Sequence, residues 1–133
     1  MRFYLDASVA LHAVLPWGDA RARAWLQSLD GSPEGVCSST LLQLEMMRVL
    51  RREQMDTTWA RLVLDRLDLI SIDDGILRFA GAIEPHVKSL DAIHLATCSL
   101  LGNAVTMVTH DANMAEVAAH MGFDVHDPLS VKE

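Results

Sequence analysis

Short apolar runs alternate with helical stretches along this whole chain, and that alternation constrains its fold more than any other feature. Arg2-Phe3-Tyr4-Leu5-Asp6 reads as a strand that ends in an acid. Ala7-Ser8 opens a helix through Leu11 and Leu15, which Pro16-Trp17-Gly18 stops. Asp19 caps a second helix, with Ala22, Trp25, Leu26 and Leu29 at helical spacing. A turn over 30–33 leads to a strand at 36–38, and a long helix follows from about Ser39 to Glu53. Thr57 or Thr58 starts a further helix towards Leu67, and residues 69–72 form a third strand. Asp73-Asp74 cap a helix carrying Ile76, Leu77, Phe79 and Ile83, which ends before Pro85. Residues 104–109 form a fourth strand, and Asn113 to Met121 form the last helix, with Gly122 as its stop. An edge strand at 123–125 follows. The pattern predicts an α/β fold: a mostly parallel sheet of four to five strands between two helix layers. With 133 residues and no linker or repeat, the expectation is a single domain over 1–133.

The most apolar helix opens at Ser89-Leu90-Asp91-Ala92-Ile93-His94-Leu95-Ala96-Thr97. Ser89 reads as its N-cap and Asp91 falls in its first turn, where the helix dipole favours a negative charge. Leu90, Ile93, Leu95, Ala96, Leu100 and Leu101 leave almost no face for water, so the helix is expected inside a core. Alone, Asp91 is an ordinary capping acid. As a metal ligand it needs partner carboxylates, and the chain supplies candidates.

In open parallel sheets, ligands gather beyond the carboxyl ends of the strands. Asp6 and Asp111 both follow strands there, and their acids meet if those strands are neighbours. Glu45 shares a helical side with Leu41, Leu42 and Val49 and lies between Arg48 and Arg52. It either pairs with Arg48 at i,i+3 or points towards the sheet edge, with the arginines beside a substrate path. His94 reads more readily as a core histidine than as a site residue, and His110 as structural. His12, His86, His120 and His126 form no zinc-like pattern. Trp17, Trp25 and Trp59 are taken as packing residues.

The formal charge of −7 argues against a protein that coats nucleic acid by charge alone. Arg48, Arg51, Arg52, Arg61 and Arg66 nevertheless fall close together and offer a local basic surface. Cys37 and Cys98 lack metal-type spacing and read as buried thiols of a reducing compartment. The chain opens on strand-like residues without a leader and has no apolar run of membrane length. The expectation is therefore an uncleaved cytoplasmic protein with no membrane partner.

Asp6-Ala7-Ser8 after the first strand, Glu45 in the helix after Ser38-Ser39, Leu90-Asp91-Ala92 opening a helix, and Thr109-His110-Asp111 after a late strand resemble the PIN domain. The resemblance is to its VapC-type ribonuclease toxins and covers essentially the whole chain. No single motif is specific; the ordered set is. It implies that Asp6, Glu45, Asp91 and Asp111 form a Mg²⁺ or Mn²⁺ site for RNA cleavage. It further implies that Ser8 and Thr109 support this site by hydrogen bonds, with Asn113 as a further supporting residue. Arg48, Arg51 and Arg52 are the RNA-contact candidates. A cognate antitoxin and a homodimer partner are also implied. The dense Leu41, Leu42, Leu44, Met46, Met47 and Leu50 exceed what one core-facing stripe needs, and the surplus is assigned to such a partner surface.

The residue types suit that chemistry. Mg²⁺ takes oxygen ligands and keeps several waters, so a few carboxylates suffice. Four clustered acids repel one another, so at least one is expected to titrate well above its free value without metal. By analogy with related nucleases, products carry a 5′-phosphate and a 3′-hydroxyl. Two other readings compete: a PIN-like module that binds RNA or protein without cutting, and an Mg²⁺-binding receiver-like domain. The latter lacks a suitable lysine, since Lys88 and Lys132 are the only two.

Overall fold

The computed structural model describes residues 2–102 and 104–130. Five strands, β1 (Arg2–Leu5), β2 (Gly35–Ser39), β3 (Asp68–Ile70), β4 (Val105–Val108) and β5 (Asp124–His126), form one sheet in the order β3-β2-β1-β4-β5. Every pairing is parallel. The helices between them are α1 (Ala7–Ala10), α2 (Ala20–Ser28), α3 (Thr40–Arg52), α4 (Arg61–Leu64), α5 (Asp74–Gly81), α6 (Ser89–Leu100) and α7 (Ala112–His120). The predicted α/β class, parallel sheet and strand number hold.

The pleat sorts the core into two layers. Leu5, Val36 and Val108 pack on one face of the sheet with Val9, Ala22, Leu42, Met46 and Leu50, from α1, α2 and α3. Tyr4, Cys37 and Met107, one residue away along their strands, pack on the other with Leu95, Cys98, Met114 and Val117 of α6 and α7. Cys37 and Cys98 are buried free thiols, and burial pushes Cys98 up to about 12.

The chain leaves central β1 towards β2 and β3, then crosses back to place β4 on the other side of β1. The crevice at the carboxyl ends of β1 and β4 is therefore the topological switch point, where such sheets bind ligands. Leu5 stands opposite Val108, and the Asp6 amide donates to the Val108 carbonyl at 3.2 Å.

Several local expectations are corrected. Ser89 is the first residue of α6 and not its N-cap. Lys88 occupies that position, its carbonyl accepts from the Ala92 amide, and its side chain caps nothing. Leu90 and Leu100 are exposed, so α6 has a water-facing edge, while Ala92 and residues 94–98 are buried. The first helix is short: α1 tightens into a 3₁₀ turn over Leu11–Ala13, because Pro16 disfavours helical geometry just before it. Gly18 is required there, since a Cβ would lie 2.1 Å from the His12 carbonyl oxygen.

The stretch after α3 is a 3₁₀ turn over Thr57–Ala60, capped by Asp56 and not by a threonine, with only α4 beyond it. β3 stops at Ile70 because its partner β2 ends at Ser39, where Ser39 turns to cap α3. Gly122 ends α7 as expected, with φ 94°. Of the tryptophans only Trp25 is held in a packed ring contact, edge-on to Phe3 at 5.3 Å, while Trp17 and Trp59 are exposed. The Leu/Met surplus of α3 is mostly core: Leu41, Leu42, Met46 and Leu50 are buried, Met47 packs against them, and Leu44 alone is exposed. No described helix is long and apolar enough to cross a membrane.

Candidate functional site

Asp6 follows β1 and is the N-cap of α1, so one side chain closes a strand–helix junction and enters the crevice. It is buried, and three donors meet it. The Ser8 amide and hydroxyl donate to Oδ1 at 3.0 and 2.6 Å, and the Thr109 hydroxyl donates to Oδ2 at 2.7 Å. Each hydroxyl also accepts from the segment after β4: Ser8 Oγ from the His110 amide at 2.8 Å, Thr109 Oγ1 from the Asp111 amide at 3.1 Å. The two hydroxyls thus tie β1 to the loop that carries Asp111. Burial pushes the Asp6 carboxyl up, and the bonds from Ser8 and Thr109 pull against it.

Asp111 is the N-cap of α7, with Oδ1 accepting from the Met114 amide at 2.8 Å. Asp91, in the first turn of α6, differs. It caps nothing and makes no side-chain hydrogen bond among the described residues. Burial raises its carboxyl first, followed by the negative charges of Asp111 and Asp6. Glu45 adds to the rise and His94 opposes it. The expected upward shift thus falls on Asp91 and Asp6, and all four predicted acids act on one another at Asp91.

Glu45 does not pair with Arg48. It reaches from α3 over the sheet edge to α6, where its Oε1 lies 2.5 Å from Nε2 of the buried His94. The other ring nitrogen, Nδ1, is 2.7 Å from the hydroxyl of Tyr4, which is also buried. Sequence reading takes His94 chiefly as a core histidine, and it is buried, yet it also meets a candidate acid; Tyr4 is not foreseen at all. Their spacing carried a signal: Tyr4 lies two residues before Asp6 on a strand and His94 three after Asp91 on a helix, the intervals that share a side.

The remaining candidates lie around this centre. The Asn113 side-chain amide donates to the His86 carbonyl at 3.1 Å and meets none of the four acids. The His110 ring lies 2.8 Å from Asp127 through Nδ1, while its amide serves Ser8. Arg48, Arg51 and Arg52 are exposed on α3, and Arg52 is engaged by Glu53 at 3.3 Å. The wider basic surface is diluted, because Arg61 pairs with Asp65 and Arg66 with Asp30.

Among the described residues, no three acids or histidines stand close enough to make a complete metal cage. The donor set is nonetheless oxygen-only and mutually repelling, and Asp91 has no hydrogen-bond partner among the described residues. Those properties fit a hard divalent cation that retains much of its water.

Comparison with known proteins agrees with the fold and bears on the chemistry. A family model described as PIN domain matches residues 3–120. Ribonuclease VapC47 of Mycobacterium tuberculosis is 31% identical over 134 residues, which is 97% of this chain and 98% of that relative. Among solved structures, VapBC2 from Rickettsia felis bound to a promoter DNA fragment superposes with a TM-score of 0.74 at 13% identity. The match covers 96% of this chain and 98% of that one. A toxin–antitoxin complex from Klebsiella pneumoniae gives 0.71 at 23% identity, with the same coverage. At those identities the two structures speak for the fold alone.

Proposed function

Because the chain belongs to the PIN-domain family, in its VapC-type branch, we propose that it is a divalent-metal-dependent endoribonuclease toxin acting as one domain over 1–133. The observation that carries this reading is Asp91: a half-buried carboxylate without a hydrogen-bond partner among the described residues, raised by burial and then by Asp111, Asp6 and Glu45 at the switch point of the sheet. Asp6, Asp91 and Asp111 would hold Mg²⁺ or Mn²⁺ directly or through water, with Glu45 beside them. A cation held there would offset their repulsion, and the chemistry it would supply is activation of water and of the phosphodiester.

The chain's own residues do the rest. Ser8 and Thr109 fix Asp6 in one orientation, so that its carboxylate is presented without rotamer search. Asp111 is aimed by the α7 amide that it caps. Glu45 orients the attacking water or a second ion. Arg48, Arg51 and Arg52 would meet the RNA backbone. A cognate antitoxin and a second copy of the chain are the proposed protein partners, in the cytoplasm. Among the described residues, exposed Trp17, Leu44, Trp59, Leu62, Leu77, Phe79, Leu90 and Leu100 are the large apolar side chains available to them. A dilution series by light scattering that finds only monomer removes the second copy.

The test is RNA cleavage by purified, antitoxin-free protein in Mg²⁺, Mn²⁺ or EDTA, with Asp6→Asn and Asp91→Asn alongside. Metal-dependent cutting lost in both variants is the expected result. Equal cutting by wild type and variants would assign the activity to a contaminant and sink the reading.

A further inference from the structure

Resting on that reading, we infer that Tyr4 and His94 are positioning residues that hold Glu45 at the carboxylate site through a fixed sequence of hydrogen bonds, Tyr4 to His94 to Glu45. The three side chains come from β1, α6 and α3, so the chain of bonds joins the central strand to both helix layers.

The donor order follows from the groups themselves. An ionised carboxylate only accepts, so Nε2 of His94 carries the proton that faces Glu45 Oε1. A neutral imidazole then has a bare Nδ1, which accepts the Tyr4 hydroxyl proton over 2.7 Å. Tyr4 is the donor there, since its phenol carries an O–H and Nδ1 has only a lone pair to offer. The Tyr4 ring also meets the His94 ring edge-on at 5.6 Å, which fixes the plane of the imidazole and hence the direction of Nε2–H.

Glu45 needs such a hold more than the other acids do. Asp6 and Asp111 are short and serve as helix caps, so their own backbones place them. Glu45 has one more rotatable bond, sits mid-helix, and has Arg48 one turn away to compete for it. A histidine that donates one ring proton to a site carboxylate while a buried partner fixes the other nitrogen has the logic of an outer-shell orienting group.

The experiment compares wild type with Tyr4→Phe, His94→Gln, Glu45→Gln and the double variant Tyr4→Phe/Glu45→Gln. Three readouts are taken: kcat and KM for RNA cleavage, Mn²⁺ affinity of the RNA-free protein by calorimetry, and the long-range ¹H–¹⁵N spectrum of His94. Tyr4→Phe deletes one oxygen and keeps the ring, so the fold survives and circular dichroism checks it. The spectrum of wild type should show the Nε2–H tautomer. Tyr4→Phe and His94→Gln should each lower kcat about tenfold with KM unchanged. Tyr4→Phe should cost nothing further once Glu45 is already replaced.

A folded Tyr4→Phe with wild-type kcat and Mn²⁺ affinity overturns the inference, as does a loss that simply adds to that of Glu45→Gln. If wild type cuts no RNA, yet the tautomer and a shared, non-additive loss of Mn²⁺ affinity persist, the nuclease reading falls and the positioning role stands.

Discussion

Asp6 and Asp91 belong to the same candidate site and both titrate high, yet they are held in opposite ways. Asp6 is met by three donors from Ser8 and Thr109, and burial is what raises it against them. Asp91 has no donor among the described residues, and part of its rise comes from the charges of Asp111, Asp6 and Glu45. One side of the site is therefore complete in the folded chain, satisfied by neutral hydrogen bonds. The other is left with a charge excess that the protein does not itself cancel. A carboxylate that folding has not satisfied is the group with most to gain from a cation.

The largest effect that tests this contrast comes from Asp91→Asn. Replacing an outer-shell partner of a metal site costs about 10–100-fold, so loss of a direct ligand should lower cleavage by about a hundredfold or more. Stability of the metal-free protein should hold or rise, since the substitution removes repulsion and breaks no hydrogen bond. Mn²⁺ should raise the Tm of wild type by mass action and leave that of the variant nearly unmoved. Thermal melts with and without Mn²⁺ read both. A variant that loses activity and melts much lower would make Asp91 a structural acid and dissolve the contrast.

Thr109→Val tests the opposite side. The isosteric methyl deletes the donor to Asp6 Oδ2 and the acceptor for the Asp111 amide, in a buried setting. Unpaired buried groups cost about 1–3 kcal/mol each when a partner is removed. Urea unfolding should therefore show a loss of that order, unlike Asp91→Asn. Wild-type stability in Thr109→Val would mean that Asp6 does not depend on its donors.

How much of this contrast was legible in the sequence differs between its sides. Asp6, Ser8, Thr109 and Asp111 lie at strand ends, where an alternating chain displays its ligand groups, and their roles as caps and cross-links are local. The β1–β4 neighbourhood that brings them together is not local, because strand order decides it through contacts far apart in sequence. Asp91 looked like a helix cap on dipole grounds, but Lys88 takes the N-cap position and leaves the Asp91 side chain uncapped. Glu45 was split between Arg48 and the sheet edge because helical geometry allows both. Only the packing of α6 against the sheet, which brings His94 within reach, resolves it. The leucine surplus of α3 misled for a related reason, since a helix capped at a sheet edge buries more than one stripe.

The pH dependence sharpens the comparison with a smaller effect. A carboxyl whose native pKa is raised binds its proton more tightly when folded, so stability is lost as pH rises from the ordinary 3.8 through the raised native value. Metal-free wild type should therefore melt at a higher temperature near pH 4 than at pH 7, as far as Asp6 and Asp91 decide it. Asp19 and Asp56 work the other way, but in a separate window. Both are lowered, Asp19 to about 2, so their contribution is present above 3.8 and lost only below it. Asp91→Asn should flatten the slope above pH 3.8, and Mn²⁺ at pH 7 should recover part of the stability lost. An unchanged slope in Asp91→Asn would place the whole effect on Asp6.

The smallest effects concern the arginines of α3, which the contrast leaves outside the acids altogether. At 100° per residue, Arg48 and Arg52 share the side of Glu45, whereas Arg51 lies a third of a turn away. Arg52 is already engaged by Glu53, and Arg48 has no ion pair among the described residues. If the RNA backbone runs past Glu45, Arg48→Ala should raise KM a few-fold with kcat nearly constant. It should also lower the dependence of log KM on log salt by about 0.7, the value for one single-strand phosphate contact. Arg51→Ala and Arg52→Ala should do less. A drop in kcat for Arg48→Ala at unchanged KM would instead tie Arg48 to Glu45, returning to that carboxylate the partner that His94 holds off.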